Sequence, residues 1–579
     1  MFFQAILVEE IIARNMKIAL ICGGPSAERG ISLNSARSVA DHLEDENVEI
    51  VPIYFDYKKR PYAISRAQLY SNTPSDFDFK LKRTAKVLSG AALKNLLKNA
   101  DIAFPVMHGA FGEDGGIQKI LEKYKVPYVG SNVDACKKSF DKFDANEYIK
   151  SAGFYAFPSA VLKIYHKDHE KILRDFFAEN KIKRAIVKPA TGGSSIGVYS
   201  VGSVKEALEK VNLLFSKRMD TRVVVEPFCE GVEFTVIILQ NRFGMPVAIM
   251  PTEIETSYEE NQIFDFRKKY LPSRQVKYHC PPRFSNEIIE KIQVQAEQLF
   301  TVLGMRDFAR FDGWLMPDGR LWFSDFNPII GMEQNSFLFQ QGARVGFSHR
   351  ELLRFILKNA CARYGLKFPE KNREEVVKKK EVKVLFGGAT SERQVSLMSG
   401  TNAWLKLRRS KKYSPKPYLL DLQNNVWELP YALTLNHTVE EIMANCLNAE
   451  RDEKRLKFLE EKVRLRLCEA GDEKFFVPQK IDLKKFIKES EFIFLGLHGG
   501  DGENGVIQKM LEDHKVKFNG SSSTSSHICM DKFETGQKLS GMEKDGIFVA
   551  PKLSLPLKKI KSWKEICEKL GTKNIIVKP

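Results

Sequence analysis

The nine cysteines never fall into a CxxC or another metal-like spacing: Cys22, Cys136, Cys229, Cys280, Cys361, Cys446, Cys468, Cys529 and Cys567 stand far apart and nothing pairs them. That excludes a thiolate metal module and a disulfide-stapled scaffold, and leaves reduced cytosolic thiols as the default. A signal peptide or membrane span is equally missing from the N-terminal stretch. MFFQAILVEEIIARNMK is apolar for only about eight residues before Glu9 and Glu10 break it, too short and too acidic for either. It reads as an extension ahead of Met16, where the first strand starts.

Clustered charge of one sign is scarce as well. Lys and Arg number 90 against 73 Asp and Glu, a net +17. Apart from Lys378-Lys379-Lys380, the basic side chains are spread along helix-period segments with acids interleaved, as from Glu450 to Arg466. Such a stretch reads as a solvated helix face, so nucleic acid and membrane are not expected partners, and a local positive cleft for an anionic nucleotide accounts for the excess. Neither GxxxxGK[ST] nor a GxGxxG opening a helix occurs, which disfavours the two commonest nucleotide-binding folds.

What is present is a repeat. MKIALICGGPSAERGISLNSAR, from residue 16, returns as VKVLFGGATSERQVSLMSG from 382, taking Glu28 to Glu392, 364 positions on. VMHGAFGEDGGIQKILEKYKVPYVGSN (106–132) returns as GLHGGDGENGVIQKMLEDHKVKFNGSS (496–522), taking His108 to His498, 390 positions on, so the second copy carries 26 extra residues between the two blocks. The 390 offset then holds for Asp141-Lys142-Phe143 against Asp531-Lys532-Phe533 and for Val187-Lys188-Pro189 against Val577-Lys578-Pro579. Everything after Pro189 in the first copy has no counterpart in the second, so its chemistry is present once.

With 579 residues, 43% hydrophobic and 28% charged, several globular domains are expected. Apolar runs such as KIALICGG, ADIAFPVMHG and VPYVGS end in glycine turns, with helix-period segments such as GIQKILEKY between them. These are α/β units with a parallel sheet and a ligand site at the carboxyl ends of the strands. The polar segment LKFPEKNREEVVKKKEV is the linker between copies.

Three stretches carry candidate chemistry. In IVKPATGGSSIGV (186–198), Lys188 closes a strand and Gly192-Gly193-Ser194-Ser195 is flexible enough to lay amides and hydroxyls against phosphate oxygens; a plain hairpin loop is the competing reading. In VVVEPFCEGVEFTVIIL (223–239), Glu226 and Glu233 are placed to accept from ribose hydroxyls beside a loop that reads an adenine edge, against two solvated acids at a turn. In ARFDGWLMPDGRLWFSDFNP (309–328), two strands joined by Pro-Asp-Gly carry Asp312 on one and Asp325 with Asn327 on the other. The last two lie on one strand face, so three oxygen donors converge as magnesium prefers.

In this order the blocks GGPSAERGISLNS, HGAFGEDGGIQ, a DK, VKPATGGSSIGV, VEPFCEGVEFTV, FDFRKKY, and RFDGW with FNPIIGM resemble the D-alanine-D-alanine ligase family of the ATP-grasp superfamily, over about residues 16–365. The resemblance implies an α/β chain with a Rossmann-like N-terminal domain (16–140) and an ATP-grasp fold of small (141–222) and large, magnesium-binding (223–365) subdomains. A linker (366–381), a second N-terminal domain (382–531) and the truncated start of a second ATP-grasp fold (532–579) follow. It further implies ATP, two Mg2+ ions with Mn2+ as an alternative, and D-alanine as substrate. An acyl phosphate forms on one amino acid and is attacked by the amine of the next, giving D-alanyl-D-alanine, ADP and phosphate for peptidoglycan in the cytoplasm.

By the same resemblance Lys142, Lys188 and Ser195 contact the phosphates, Glu226 and the loop at Phe228 frame adenine, Glu233 holds the ribose, and Lys269 closes over the γ-phosphate. Asp312, Asp325 and Asn327 hold the metals. Glu28 binds the ammonium of the first amino acid with His108 nearby, and joins Ser194 and Tyr270 in a hydrogen-bonded trio. Arg310 and the backbone of Gly331 stabilise the oxyanion, while Ser336 and Phe337 line the second amino-acid pocket. The segment 257–275 is the lid that excludes water from the acyl phosphate.

Departures from the family pattern are Gly192 where an acid is usual, Phe264 and Phe266 in place of lid tyrosines, and Asp325 in place of Glu. The second copy keeps Glu392, His498, Lys532 and Lys578 but has no metal acids, glycine loop or lid, and is expected to be inactive by itself. Two other readings stay open: a ligase with a D-hydroxy acid or another amino acid as acceptor, and a nucleotide-binding pseudoenzyme. A homodimer or an internal pseudo-dimer of the two copies are the assemblies considered.

Overall fold

A computed structural model describes residues 15–71, 73–193, 196–256, 276–370, 378–469, 471–555 and 562–578. The chain divides into two compact units: Met1–Arg373 with Tyr431–Val477, and Glu374–Pro430 with Pro478–Pro579. Among the described residues no helix is long and apolar enough to cross a membrane, and all nine cysteines are free.

The first unit opens with a four-stranded sheet, β1 (Met16–Gly23), β2 (Val48–Phe55), β3 (Pro61–Ala63) and β4 (Ile102–Pro105), in the order β3-β2-β1-β4. β1 runs parallel to β2 and β4, and residues 18–22 are fully buried, as both faces of a parallel strand are covered. The strand ends at Gly23, φ +92°, where a Cβ would stand 2.2 Å from the Phe55 carbonyl oxygen. Only glycine permits the turn that delivers the chain to helix Arg29–Leu43.

A second sheet follows, entirely antiparallel: β5 (Ala160–Lys163), β6 (Ala185–Pro189), β7 (Tyr199–Val201) and β8 (Arg222–Pro227), in the order β5-β8-β6-β7. Val187, Val223 and Val225 face a core shared with Leu173 and Val211 of the covering helices. The two-residue period therefore turns Lys188 and Glu226 to the opposite face.

The third sheet comprises β9 (Val232–Gln240), β10 (Pro246–Ala248), β11 (Thr252–Thr256), β12 (Val276–His279), β13 (Phe308–Leu315) and β14 (Leu321–Asn327), with β12-β11-β9-β13-β14 as its path. Phe234, Val236, Phe311 and Phe326 pack with Ile292 and Leu299 of helix Asn286–Val302. Alternation again sends Arg310, Asp312, Asp325 and Asn327 to the other face.

The surplus residues of the second copy also belong to this unit. They form a short helix, Tyr431–Thr434, and a 29-residue helix, Val439–Leu467, which replace the short helix Pro74–Thr84 of the first copy. The sequence reads the charged stretch 450–466 as a solvated face. Several of its basic residues instead hold the long helix to the body of the first copy: Arg455 donates to the Phe284 carbonyl and to Asn286 Oδ1 (3.0 Å), Lys462 pairs with Glu290 (3.0 Å) and Arg466 with Glu297 (2.5 Å). At its far end a Cβ on Gly471 would meet the Gly346 carbonyl oxygen at 1.8 Å, a backbone approach no other residue allows.

The second unit carries β15 (Lys380–Gly387), β16 (Tyr413–Leu420), β17 (Asn425–Glu428), β18 (Lys480–Asp482), β19 (Phe492–Leu495) and β20 (Lys517–Phe518), ordered β18-β17-β16-β15-β19-β20. Its parallel centre β16-β15-β19 repeats β2-β1-β4 of the first copy. The sequence that forms β6 in the first copy forms no strand here, and Ile576 and Val577 are 81% and 86% exposed. In the first copy β6 is paired on both sides, by β7 and β8, which follow it in the chain.

Candidate active site

Glu28 stands at the start of helix Arg29–Leu43, and its carboxylate lies against two glycines. A Cβ on Gly109 would be 3.1 Å from one of its oxygens, and one on Gly193 2.9 Å from the other. The N-terminal sheet and the glycine loop after β6 thus meet at this carboxylate. His108 is buried beside it, Nδ1 3.9 Å from Glu113 Oε1, while Nε2 is buried without a hydrogen-bond partner. Burial alone would lower its pKa, but Glu113, with Glu28 and Glu333, holds it above the ordinary histidine value. Sequence reasoning passed over Glu113, although it lies inside the repeated block and returns as Glu503, 3.6 Å from His498 Nδ1.

The hydrogen bonding around this histidine differs between the two copies. His498 Nε2 is covered by Ser399 Oγ at 3.0 Å, whereas the matching Ser35 is drawn to the Met332 amide (3.0 Å) and Glu333 (3.3 Å).

Two lysines face the glycine loop and the sheets around it. Lys142, first residue of helix Lys142–Ser151, pairs through Nζ with Asp325 at 2.5 Å and donates to the Gly192 carbonyl at 3.0 Å. Burial would lower its pKa, but Asp325, reinforced by Glu226 and Glu28, keeps it raised. Lys188 and Glu226 form a buried pair at 2.7 Å. Phe228 lies under the Arg184 guanidinium, 3.8 Å from its ring centre. Glu233 opens β9 opposite Trp314 of β13.

On the third sheet Asp312 and Asp325 are direct cross-strand partners, and so are Arg310 and Asn327. Asp312 accepts from Arg310 Nε and Nη2 (3.0 and 2.9 Å), from Thr235 Oγ1 (2.7 Å) and from Asn327 Nδ2 (3.2 Å). Thr235 is a further residue the sequence did not single out; its place opposite Asp312 on β9 is a matter of register. Among the described residues no three His, Cys, Asp or Glu side chains cluster as a metal site. The donor set is two carboxylates and an amide, which suits magnesium, an ion that keeps several waters and takes one or two carboxylates plus substrate phosphates.

Beyond β14, a Cβ on Gly331 would be 2.8 Å from Glu333 Oε2, so its backbone is closely packed. Ser336 precedes helix Phe337–Arg344; its hydroxyl is buried and makes no hydrogen bond among the described residues. Phe337 meets Tyr278 of β12 edge to face at 5.3 Å. Ser194, Ser195, Lys269 and Tyr270, with the departures Phe264 and Phe266, lie outside the described residues.

An antiparallel sheet and a larger mixed-length one, each turning charged residues away from its own core and toward a glycine loop, define an ATP-grasp protein with a preceding parallel α/β domain. Comparison narrows this. The family model "D-ala D-ala ligase C-terminus" matches residues 150–358, and "D-ala D-ala ligase N-terminus" matches both 17–131 and 381–521. The D-alanine--D-alanine ligase of Prosthecochloris aestuarii is 30% identical over 336 residues, 54% of this chain and 89% of the relative. That of Chlorobium phaeovibrioides is 30% identical over 362, covering 60% and 97%. Among solved structures, the D-alanine-D-alanine ligase from Coxiella burnetii aligns with TM-score 0.52 and 24% identity over 61% of this chain and 96% of its own. The VanG D-Ala:D-Ser ligase from Enterococcus faecalis gives 0.51 and 25% over 60% and 100%. The chain belongs to the D-alanine-D-alanine ligase family.

Proposed function

We propose that this protein is an ATP-dependent ligase that joins two D-alanine molecules for peptidoglycan synthesis in the cytoplasm, with its chemistry in residues 16–365. The observation that carries the reading is the double engagement of the glycine loop: Glu28 against Gly193 from the N-terminal domain, and Lys142 on the Gly192 carbonyl from the ATP-grasp side. That brings an amino-acid anchor and a phosphate anchor to the same loop.

Glu28 holds the ammonium of the first D-alanine, with His108 beside it. Lys142 and Lys188 neutralise the nucleotide phosphates with Ser195 and, from the lid, Lys269; Glu226 and Phe228 frame the adenine and Glu233 the ribose. Asp312, Asp325 and Asn327 would hold Mg2+, which when bound neutralises charge on the transferring phosphoryl group. The γ-phosphoryl group passes to the first carboxylate, ADP leaves, and the second D-alanine, seated by Ser336 and Phe337, attacks the acyl carbon with its neutral amine. The C–O bond to phosphate breaks and the amine loses its proton. Arg310 and the Gly331 amide face the developing oxyanion, with Ser194 near the reacting groups. Phosphoryl transfer of this sort is mostly positioning and charge stabilisation, which is what these side chains supply.

The test is dipeptide synthesis by the whole chain with D-alanine, ATP and magnesium, beside Asp312→Ala. The expected result is dipeptide, with at least about a 10³-fold loss in the variant. ATP binding without dipeptide would sink the reading in favour of a ligase with another acceptor or of a pseudoenzyme.

A further inference from the structure

The long helix and the short one before it form an arm that packs, within the first unit, on the segments flanking the acceptor side of the proposed site. Tyr431 Oη accepts from the His349 amide at 3.1 Å and bonds its Nδ1 at 2.6 Å, while His349 Nε2 bonds the Gln334 carbonyl at 2.7 Å and its ring stacks on Phe339 at 3.8 Å. Further along, the His437 ring lies 4.6 Å from Tyr278 and 6.3 Å from Phe337, and these two rings meet each other at 5.3 Å. Gln340 binds this ring wall to the chain around Ser336: its Nε2 lies 3.0 Å from His437 Nδ1 and 2.7 Å from the Asn335 carbonyl, and its own amide donates to the Ser336 carbonyl at 2.9 Å.

Tyr278 and Phe337 are thereby held from behind by a histidine of the other repeat. Tyr278 sits in the strand that resumes directly after segment 257–275. Phe337 follows Ser336, whose buried hydroxyl has no hydrogen-bond partner among the described residues and is available to a ligand. The histidine is itself fixed: Glu441 accepts from the His437 amide at 3.0 Å and from Asn436 Nδ2 at 3.2 Å, and Thr438 caps the helix through the Glu441 amide at 3.1 Å. Burial keeps the ring neutral, its pKa pushed down to about 4, so Nδ1 can accept from Gln340.

Building on the ligase reading, we propose that His437 is a positioning residue for the second amino acid: it braces the Tyr278–Phe337 wall so that Ser336 and Phe337 present a fixed acceptor pocket. A surplus segment of the second repeat then contributes to the selectivity of the first.

The test is steady-state kinetics of the full chain, with the two D-alanine sites resolved by their separate saturation. His437→Ala is expected to raise the acceptor KM about tenfold, with kcat and the KM for ATP within about twofold. His437→Phe, which restores a ring but not the Gln340 bond, should recover most of the affinity. Arg455→Ala, which loosens the arm away from Phe337, should lower the melting temperature without splitting the two KM values. An unchanged acceptor KM in a folded His437→Ala protein overturns the proposal. So does a parallel rise of all KM values together with a lowered melting temperature, which would mark a structural role only. A wild-type chain that makes no dipeptide overturns the ligase reading and this inference with it.

Discussion

Glu28 and Gly193 sit on separate elements, at the start of the helix after β1 and in the loop after β6, yet a Cβ placed on the glycine would stand 2.9 Å from Oε1 of the glutamate. The obstructing atom is the end of a flexible side chain, so Gly193→Ala is tolerable for folding but moves the carboxylate. We expect the melting temperature to change by less than about 3 °C and dipeptide synthesis to fall about 10²-fold. A variant that melts as the wild type does and keeps full activity would remove Glu28 from the site.

Lys188 and Glu226 make a second claim on the same region. Both are buried, so truncating one leaves the other charged and unpaired. Lys188→Met should destabilise the chain by about 3–5 kcal/mol, and Lys188→Met with Glu226→Leu should recover most of that without recovering ATP affinity. Denaturant unfolding and nucleotide titration on both proteins decide the matter; a double variant that binds ATP normally would show the pair to be structural.

The matching glutamates of the two copies can be told apart by parallel substitution. Glu28→Gln should cost about 10²-fold or more in dipeptide synthesis, and Glu392→Gln should leave it unchanged. Equal losses in the two would mean that the second copy shares in the chemistry.

Acidity offers an independent check on the arm. Burial pushes His437 down to about 4 from 6.5, and pushes Glu441 up to about 7 from 4.5. Arg344 faces Glu441, with the buried thiols of Cys280 and Cys446 close by, both raised and so neutral. Between pH 4 and 6.5 the unfolded chain binds a proton at His437 that the folded chain refuses, so that term gains stability as pH rises. Between 4.5 and 7 the folded chain binds a proton at Glu441 that the unfolded chain does not, so that term loses stability as pH rises. The two oppose, and His437→Gln should expose the Glu441 term alone: its melting temperature relative to wild type should fall as pH is raised from about 4.5 to about 6.5. Parallel profiles for the two proteins would contradict this.

Much of the site was legible because its signals are local. The two-residue period of paired strands put Asp312 opposite Asp325 and set Asn327 on the same face. The repeat of the block around His108-Gly109 as His498-Gly499 reported His108 and, further along the same block, carried Glu113 as Glu503. Thr235 was hidden, since the register of β9 against β13 spans 77 residues of chain. The arm was hidden for a different reason: a helix-period pattern says that one face is covered but not by what. Its charged stretch gave no sign that Arg455, Lys462 and Arg466 reach groups in the body of the first copy.

The placement of Gly471 against Gly346, with Tyr431 on His349 upstream of it, changes what gene duplication has left behind. A chain cut between the repeats would not be a self-contained copy of the fold. The cut would strip a long helix from the remaining half and open Tyr278, Phe337 and Gln340 to water. The compact unit that holds the proposed site is completed by residues 431–477, which the chain reaches only after the second unit has begun.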